Sequence, residues 1–97
     1  MRVERMSFQP VLSPKLRKVL AKLAVKNKPL AIAVNKKIKQ VCSCDEELIN
    51  HYKNLRNELS EYKRTHIQKS FVLLFKVDFE KKHVLFVKLE HHDRVYK

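Results

Sequence analysis

Glycine is absent from this chain of 97 residues. That removes the glycine-rich loops with which nucleotide-binding folds bring backbone close to phosphate, so Rossmann-type and P-loop-type sites are excluded. Long apolar runs are missing as well. The longest extend only from Leu30 to Val34 and from Phe71 to Phe75, far short of the roughly 20 residues of a membrane-spanning helix. The N-terminal MRVERMSFQP carries no apolar stretch of signal-peptide length, and the expectation is a cytoplasmic protein with no membrane partner. Cysteine is limited to Cys42 and Cys44, too few for a disulfide framework and without the second pair that a zinc site requires. No chemistry, metal or cofactor is assigned to them.

Acidic residues are the most telling shortage. Between Met6 and Cys44 there is no Asp or Glu, whereas nine Lys and Arg lie between Lys15 and Lys39. The formal net charge is +12. A surface shaped for solubility alone usually intersperses both signs, although a merely lysine-rich surface is the simpler alternative. A field of this sign captures polyanions, and an acidic partner is expected.

The length is that of one domain, 1–97, with no room for a second core. The first half reads as helical and the second as β-rich. Arg2 to Val11 is consistent with a first strand anchored by Phe8 and Val11. Ser13-Pro14 is an N-cap followed by proline at the first helical position. Leu16, Val19, Leu20, Leu23 and Ala24 then recur at helical spacing, and Lys15, Lys18, Lys22 and Lys26 occupy another face. Asn27-Lys28-Pro29 breaks this helix and opens a second. In the second, Leu30, Ala33, Val34, Ile38 and Val41 form the apolar stripe, with Lys36, Lys37 and Lys39 beside it. So short a connection implies an antiparallel helical hairpin. Asp45-Glu46-Glu47 marks a turn or a short helix start. Tyr62 to Ile67, Phe71 to Val77 and Val84 to Leu89 then read as three strands joined by Gln68-Lys69-Ser70 and Asp78–Lys82. The predicted class is α+β: two N-terminal antiparallel helices packed on a small, mainly antiparallel sheet.

In this order of elements the chain resembles the RelE/ParE toxin superfamily. Members often carry Leu-Lys-Gly-x-Leu-x-Gly-x-Tyr-Arg-Leu-Arg-Ile. Leu55 to Ile67, LRNELSEYKRTHI, aligns to it without a gap, placing Arg64 and His66 at the two basic positions. Ser70–Phe75 is similar to the family strand Asp-Tyr-Arg-Val-Ile-Tyr. His91-His92-Asp93-Arg94-Val95-Tyr96 is close to the C-terminal His-Arg-x-x-Val-Tyr, and Val11–Lys15 resembles the family's strand-to-helix junction. Three departures stand out. Gln68-Lys69-Ser70 replaces a Gly-Asp turn, Val72 stands where an arginine is usual, and His92 replaces another arginine. An alternative register makes Lys63 and Thr65 the active positions. Arg64 and His66 are preferred because Thr65 and Ile67 then face the core together.

The resemblance implies an endoribonuclease that cuts messenger RNA on the ribosome, the 2′-hydroxyl attacking the adjacent phosphate without metal or cofactor. Such a step needs a base, cations for the phosphorane and an acid for the leaving oxygen. Arginine matches phosphate geometry and imidazole transfers protons near neutrality. A tyrosine can stack on a base or move a proton. The catalytic candidates are Arg64, His66, His92, Arg94 and Tyr96. RNA or ribosome contacts are expected at Lys15, Lys18, Lys22, Lys26, Lys36, Lys37, Lys63, Lys69 and His91. The resemblance also implies a cognate RelB-like antitoxin, an acidic segment that wraps the basic helices and orders on binding. Two other functions stay open. One is a ParE-like toxin acting on DNA gyrase, favoured by the loss of arginine at Val72. The other is a non-catalytic RNA-binding module, for which Tyr62 is the obvious stacking residue on the open sheet face.

Overall fold

A computed structural model describes residues 7–55 and 61–92. Strand β1 (Gln9–Leu12) leads into helix α1 (Pro14–Lys26), helix α2 (Lys28–Cys42) and the single turn α3 (Glu46–Ile49). Strands β2 (Lys63–Ile67), β3 (Phe71–Asp78) and β4 (His83–His91) follow. The sheet order is β1-β4-β3-β2. β2, β3 and β4 form the antiparallel meander, and β1 lies parallel to β4 at the edge. The α+β architecture read from the sequence is the one observed. Among the described residues no helix is long and apolar enough to cross a membrane.

The helix boundaries follow from capping. The Ser13 hydroxyl accepts from the Leu16 amide at 3.0 Å, and the Asn27 side chain accepts from the Leu30 amide at 3.3 Å. Asp45 caps α3 through the Leu48 amide at 2.8 Å. Each bond satisfies a donor that the first helical turn leaves orphaned. Asn27 both ends α1 and starts α2, so the hairpin has almost no loop.

The helices cover one face of the sheet, here termed inner. Leu30, Val34, Ile38, Val41 and Cys42 of α2 are buried against Ile67, Leu73, Phe75, Val84 and Phe86, together with Leu16, Phe8 and Ile49. The α1 stripe is less covered than its periodicity suggests. Leu16 is buried, Val19, Leu20 and Leu23 are half-buried, and Ala24 is exposed. At the hairpin tip Val25 and Ile32 are 84% and 56% exposed.

One expected anchor is corrected. Phe8 is buried and meets Phe79 edge-on at 6.1 Å, but Val11 is 38% exposed. The pleat explains the difference: Val11 lies opposite Leu85 on the outer face, whereas Leu12 lies opposite the buried Phe86 and packs into the core. The start of the expected strand, 2–6, lies outside the described residues.

β4 carries an irregularity that decides which side chains share a face. Leu74 pairs with Lys88, yet Phe75 pairs with Phe86, so Val87 is an extra residue in β4, a β-bulge. Its carbonyl accepts the Ser13 hydroxyl, while the Phe86 carbonyl accepts the Ser13 amide at 3.0 Å. One serine thus caps α1 and fastens it to the bulge.

Candidate active site

The outer face of the sheet is not covered by α1 or α2. Its centre holds a small apolar cluster in which Leu55, Val72 and Leu74 are buried and Tyr62 packs against them. Val72, at the position where the family resemblance leads one to expect an arginine, is therefore fully covered. The 50–55 segment reaches this face along the β2 edge. Asn54 bridges Lys63, and the Leu55 amide donates to the Tyr62 carbonyl at 2.9 Å.

Around this cluster stand polar side chains. In β2, Thr65 and Ile67 are buried on the inner side, which puts Arg64 and His66 on the outer one. The register pairs Arg64 with Leu74 and His66 with Val72. Arg64 Nη1 donates to the Asn54 carbonyl at 3.1 Å, and this bond orients the guanidinium. The His92 amide donates to the Ser70 carbonyl at 2.7 Å, fixing the chain just beyond β4. The two imidazoles of His66 and His92 then lie with centroids 5.5 Å apart and planes inclined by 34°. Residues 26 positions apart in sequence thus meet across the turn that carries the exposed Lys69.

Two further charged residues belong to this face and escape the sequence reading. Lys88 pairs with Leu74 and Glu90 with Val72, both outward, and their side chains form an ion pair at 3.3 Å. Strict alternation from the buried Val84 and Phe86 sends both inward. The bulge at Val87 reverses the parity and keeps two charges out of the core, where each costs several kcal/mol even after relaxation, of order ~3–5 for a broken pair.

The other expected residues fall in different places. His91 turns to the inner side and meets Phe71 edge-on at 5.5 Å, away from His66 and His92. Lys63 is half-buried, and its ammonium donates to the Tyr52 carbonyl at 3.1 Å and to Asn54 Oδ1 at 3.0 Å. Burial pushes its pKa below the ordinary lysine value. The ammonium therefore ties the 52–54 segment to β2. Lys15, Lys18, Lys22 and Lys26 are exposed on α1, and Lys15 alone of these adjoins the outer face. Lys36 is exposed and Lys37 half-buried on α2; Lys36 borders a hollow of about 390 Å³ with Lys39 and Leu48 on the helical side. Arg94 and Tyr96 lie outside the described residues. Among the described residues no three His, Cys, Asp or Glu side chains are grouped to hold a metal ion.

The cysteines sit on the helical side. Cys42 is buried, and its thiol pKa is pushed up to about 11 by burial and by neighbouring Cys44. Tyr52, which meets Phe75 edge-on at 5.5 Å, is likewise raised, mainly by burial and further by Cys44.

A helical hairpin on one face of such a sheet, with arginine and histidine side chains gathered on the other, defines a small basic α+β protein with a sheet-borne site. Comparison with known proteins makes the class specific. The sequence is 44% identical over 90 residues to a Methanocaldococcus jannaschii protein named as the candidate toxin RelE4, covering 93% of this chain and 92% of that one. No protein-family profile matches. Among solved structures, the toxin–antitoxin complex RelBE2 of Mycobacterium tuberculosis matches with a TM-score of 0.71 at 21% identity, over 90% of this chain and 93% of that one. The YoeB–YefM complex of Staphylococcus aureus matches at 0.68 and 18% identity, over 88% and 97%. The chain belongs to the RelE/ParE toxin family.

Proposed function

We propose that this chain is the toxin of a type II toxin–antitoxin system and a ribosome-dependent endoribonuclease, in which the 2′-hydroxyl of the message attacks the adjacent phosphate. The observation that carries this reading is the meeting of His66 and His92 beside Arg64 on the sheet face turned away from α1 and α2. Two imidazoles at that separation can flank one phosphodiester, one taking the proton of the attacking hydroxyl and the other giving one to the leaving 5′-oxygen. The Arg64 fork stabilises charge on the phosphorane oxygens. Arg94 and Tyr96 are assigned supporting roles on the resemblance alone. No metal enters this scheme. The ribosome holds the message in place, which supplies the positional part of the rate.

Partner assignments follow from the same division of faces. The two similar solved structures described above are toxin–antitoxin complexes, and a cognate, RelB-like antitoxin is proposed here too. The helical side, with exposed Val25 and Ile32 among lysines, suits an acidic amphipathic segment. The exposed lysines of both helices, with Lys69 at the turn, suit ribosomal RNA, and such binding weakens steeply with salt.

The ParE-like alternative, inhibition of DNA gyrase, has one observation in its favour: Val72 is sealed beneath Leu55 and Tyr62 where a phosphate-binding arginine is usual. Primer extension on a defined message in a reconstituted translation system decides between them. The expected result is cuts that require ribosomes and fade in Arg64→Ala. No cuts from the folded wild-type chain, together with inhibition of DNA supercoiling, would establish the alternative.

A further inference from the structure

The bulge that turns Lys88 outward also shapes a hollow. Because Val87 is an unpaired extra residue and Ser13 bonds the carbonyls of both Phe86 and Val87, the start of α1 is held against β4. Pro14 and Lys15 then border the outer sheet face. Between them and the strands lies a cavity of about 500 Å³. Leu74 and Val87 supply apolar lining and Tyr62 an aromatic one, and Lys15 and Lys88 border it, the latter in its ion pair with Glu90. A volume of this size is in the range of small-molecule sites.

We infer that this hollow seats one unstacked base of the RNA chain, with Lys15 and Lys88 meeting the phosphates on either side of it, and that it sets base preference near the cut. An aromatic wall and apolar lining favour a planar heterocycle, and Lys15, joined by Lys88 when a phosphate displaces Glu90, favours one attached to an anion. A peptide side chain meets the first condition and not the second. Position supports the assignment. Lys88 lies opposite Leu74, and Leu74 opposite Arg64, so at about 4.8 Å per strand the pocket rim and Arg64 are separated by roughly 10 Å across one continuous face. Arg64 and Lys88 thus flank Leu74 on the two neighbouring strands. The inference rests on the proposed RNA-cutting function and adds to it the residues that select a base.

The test is binding of the intact chain to a short single-stranded RNA and to versions with an abasic site at each successive position. Wild type is expected to lose about tenfold in affinity at one position, the effect of a single stacked base. Tyr62→Ala closes that gap, Tyr62→Phe keeps it, and thermal unfolding shows whether each variant is folded. Independently of any variant, 2-aminopurine placed at the sensitive position is quenched on binding to wild type. Indifference of wild type to every abasic position, quenching at none, or an undiminished gap in folded Tyr62→Ala overturns the pocket. Message cleavage read in parallel keeps the two proposals apart. Cutting without any abasic effect removes only the pocket, and an abasic effect without cutting removes only the nuclease.

Discussion

The two faces of the sheet are built by different rules. The inner face is set by periodicity: apolar residues recur at two-residue spacing in β3 and at helical spacing in α2, and they meet as a single core. The outer face is set by one irregularity and one wrapped segment. Were Val87 paired as an ordinary strand residue instead of bulged, Lys88 and Glu90 would face inward. Without the 50–55 segment, Val72 and Leu74 lack the cover of Leu55. The difference teaches that stability here follows the pattern, whereas the arrangement proposed to carry function follows the departure from it.

Deleting Leu89 tests this most severely. With the bulge kept, Glu90 takes its place opposite the buried Leu73, and with the bulge dissolved Lys88 does, so a charge faces the core either way. An unpaired buried charge costs ~3–5 kcal/mol against a total margin of about 5–15 kcal/mol for a small domain, and the expected outcome is a thermal transition that is lost or lowered by tens of degrees. A variant as stable as wild type would show that the two faces are not tied to the parity of β4. The paired change His66→Ala with His92→Ala comes next. Cleavage should fall about 10²–10⁴-fold in the ribosome assay, with unfolding free energy within about 1 kcal/mol of wild type because neither ring is in the core.

Val72→Arg restores the residue usual in the family. Overpacking beneath Leu55 and Tyr62 should cost about 1–3 kcal/mol in denaturant titration, while cleavage holds or rises. A fall in cleavage without loss of stability would argue that the apolar cluster is itself part of the site. The smallest effect concerns the inner face. Cys42 keeps its proton up to about pH 11 when folded, against an ordinary thiol value of 9.0. Between these pH values the unfolded chain ionises and the folded chain does not, so stability is full below pH 9 and falls as pH rises. The slope attributable to this thiol is at most about 1.4 kcal/mol per pH unit, and Cys42→Ala should flatten it in alkaline unfolding curves.

Much of the fold was legible in the sequence because local chemistry determined it. Ser13-Pro14 and Asn27 stop and start helices wherever they occur, and Thr65 with Ile67 fixed which side of β2 carries Arg64 and His66. Two features were not legible. The parallel docking of β1 on β4 joins segments about 70 residues apart and leaves no local mark, so Val11 reads as an anchor although it lies on the outer face. The bulge has no sequence signature either, since Val84 to Leu89 reads as a plain apolar run, and Lys88 and Glu90 stayed hidden with it. The approach of His92 to His66 follows from the Ser70–His92 backbone bond rather than from any motif.

The chain also turns two of its corners without the residue best suited to them. Gln68, in the β2–β3 turn, and Lys82, at the start of the β4 hairpin arm, have φ of 55°, the left-handed region that costs a residue with a side chain about 1–2 kcal/mol. At Lys82 the surroundings offset this: its carbonyl accepts the Gln9 amide at 2.8 Å, and its ammonium pairs with Glu46 and lies 5.5 Å from the centre of the Phe8 ring. Avoiding glycine has a second effect, felt before any of these contacts form. A polypeptide with a side chain at every position samples fewer backbone states when unfolded, and so surrenders less disorder on folding. Local strain at two corners is thus set against a narrower ensemble along the whole chain.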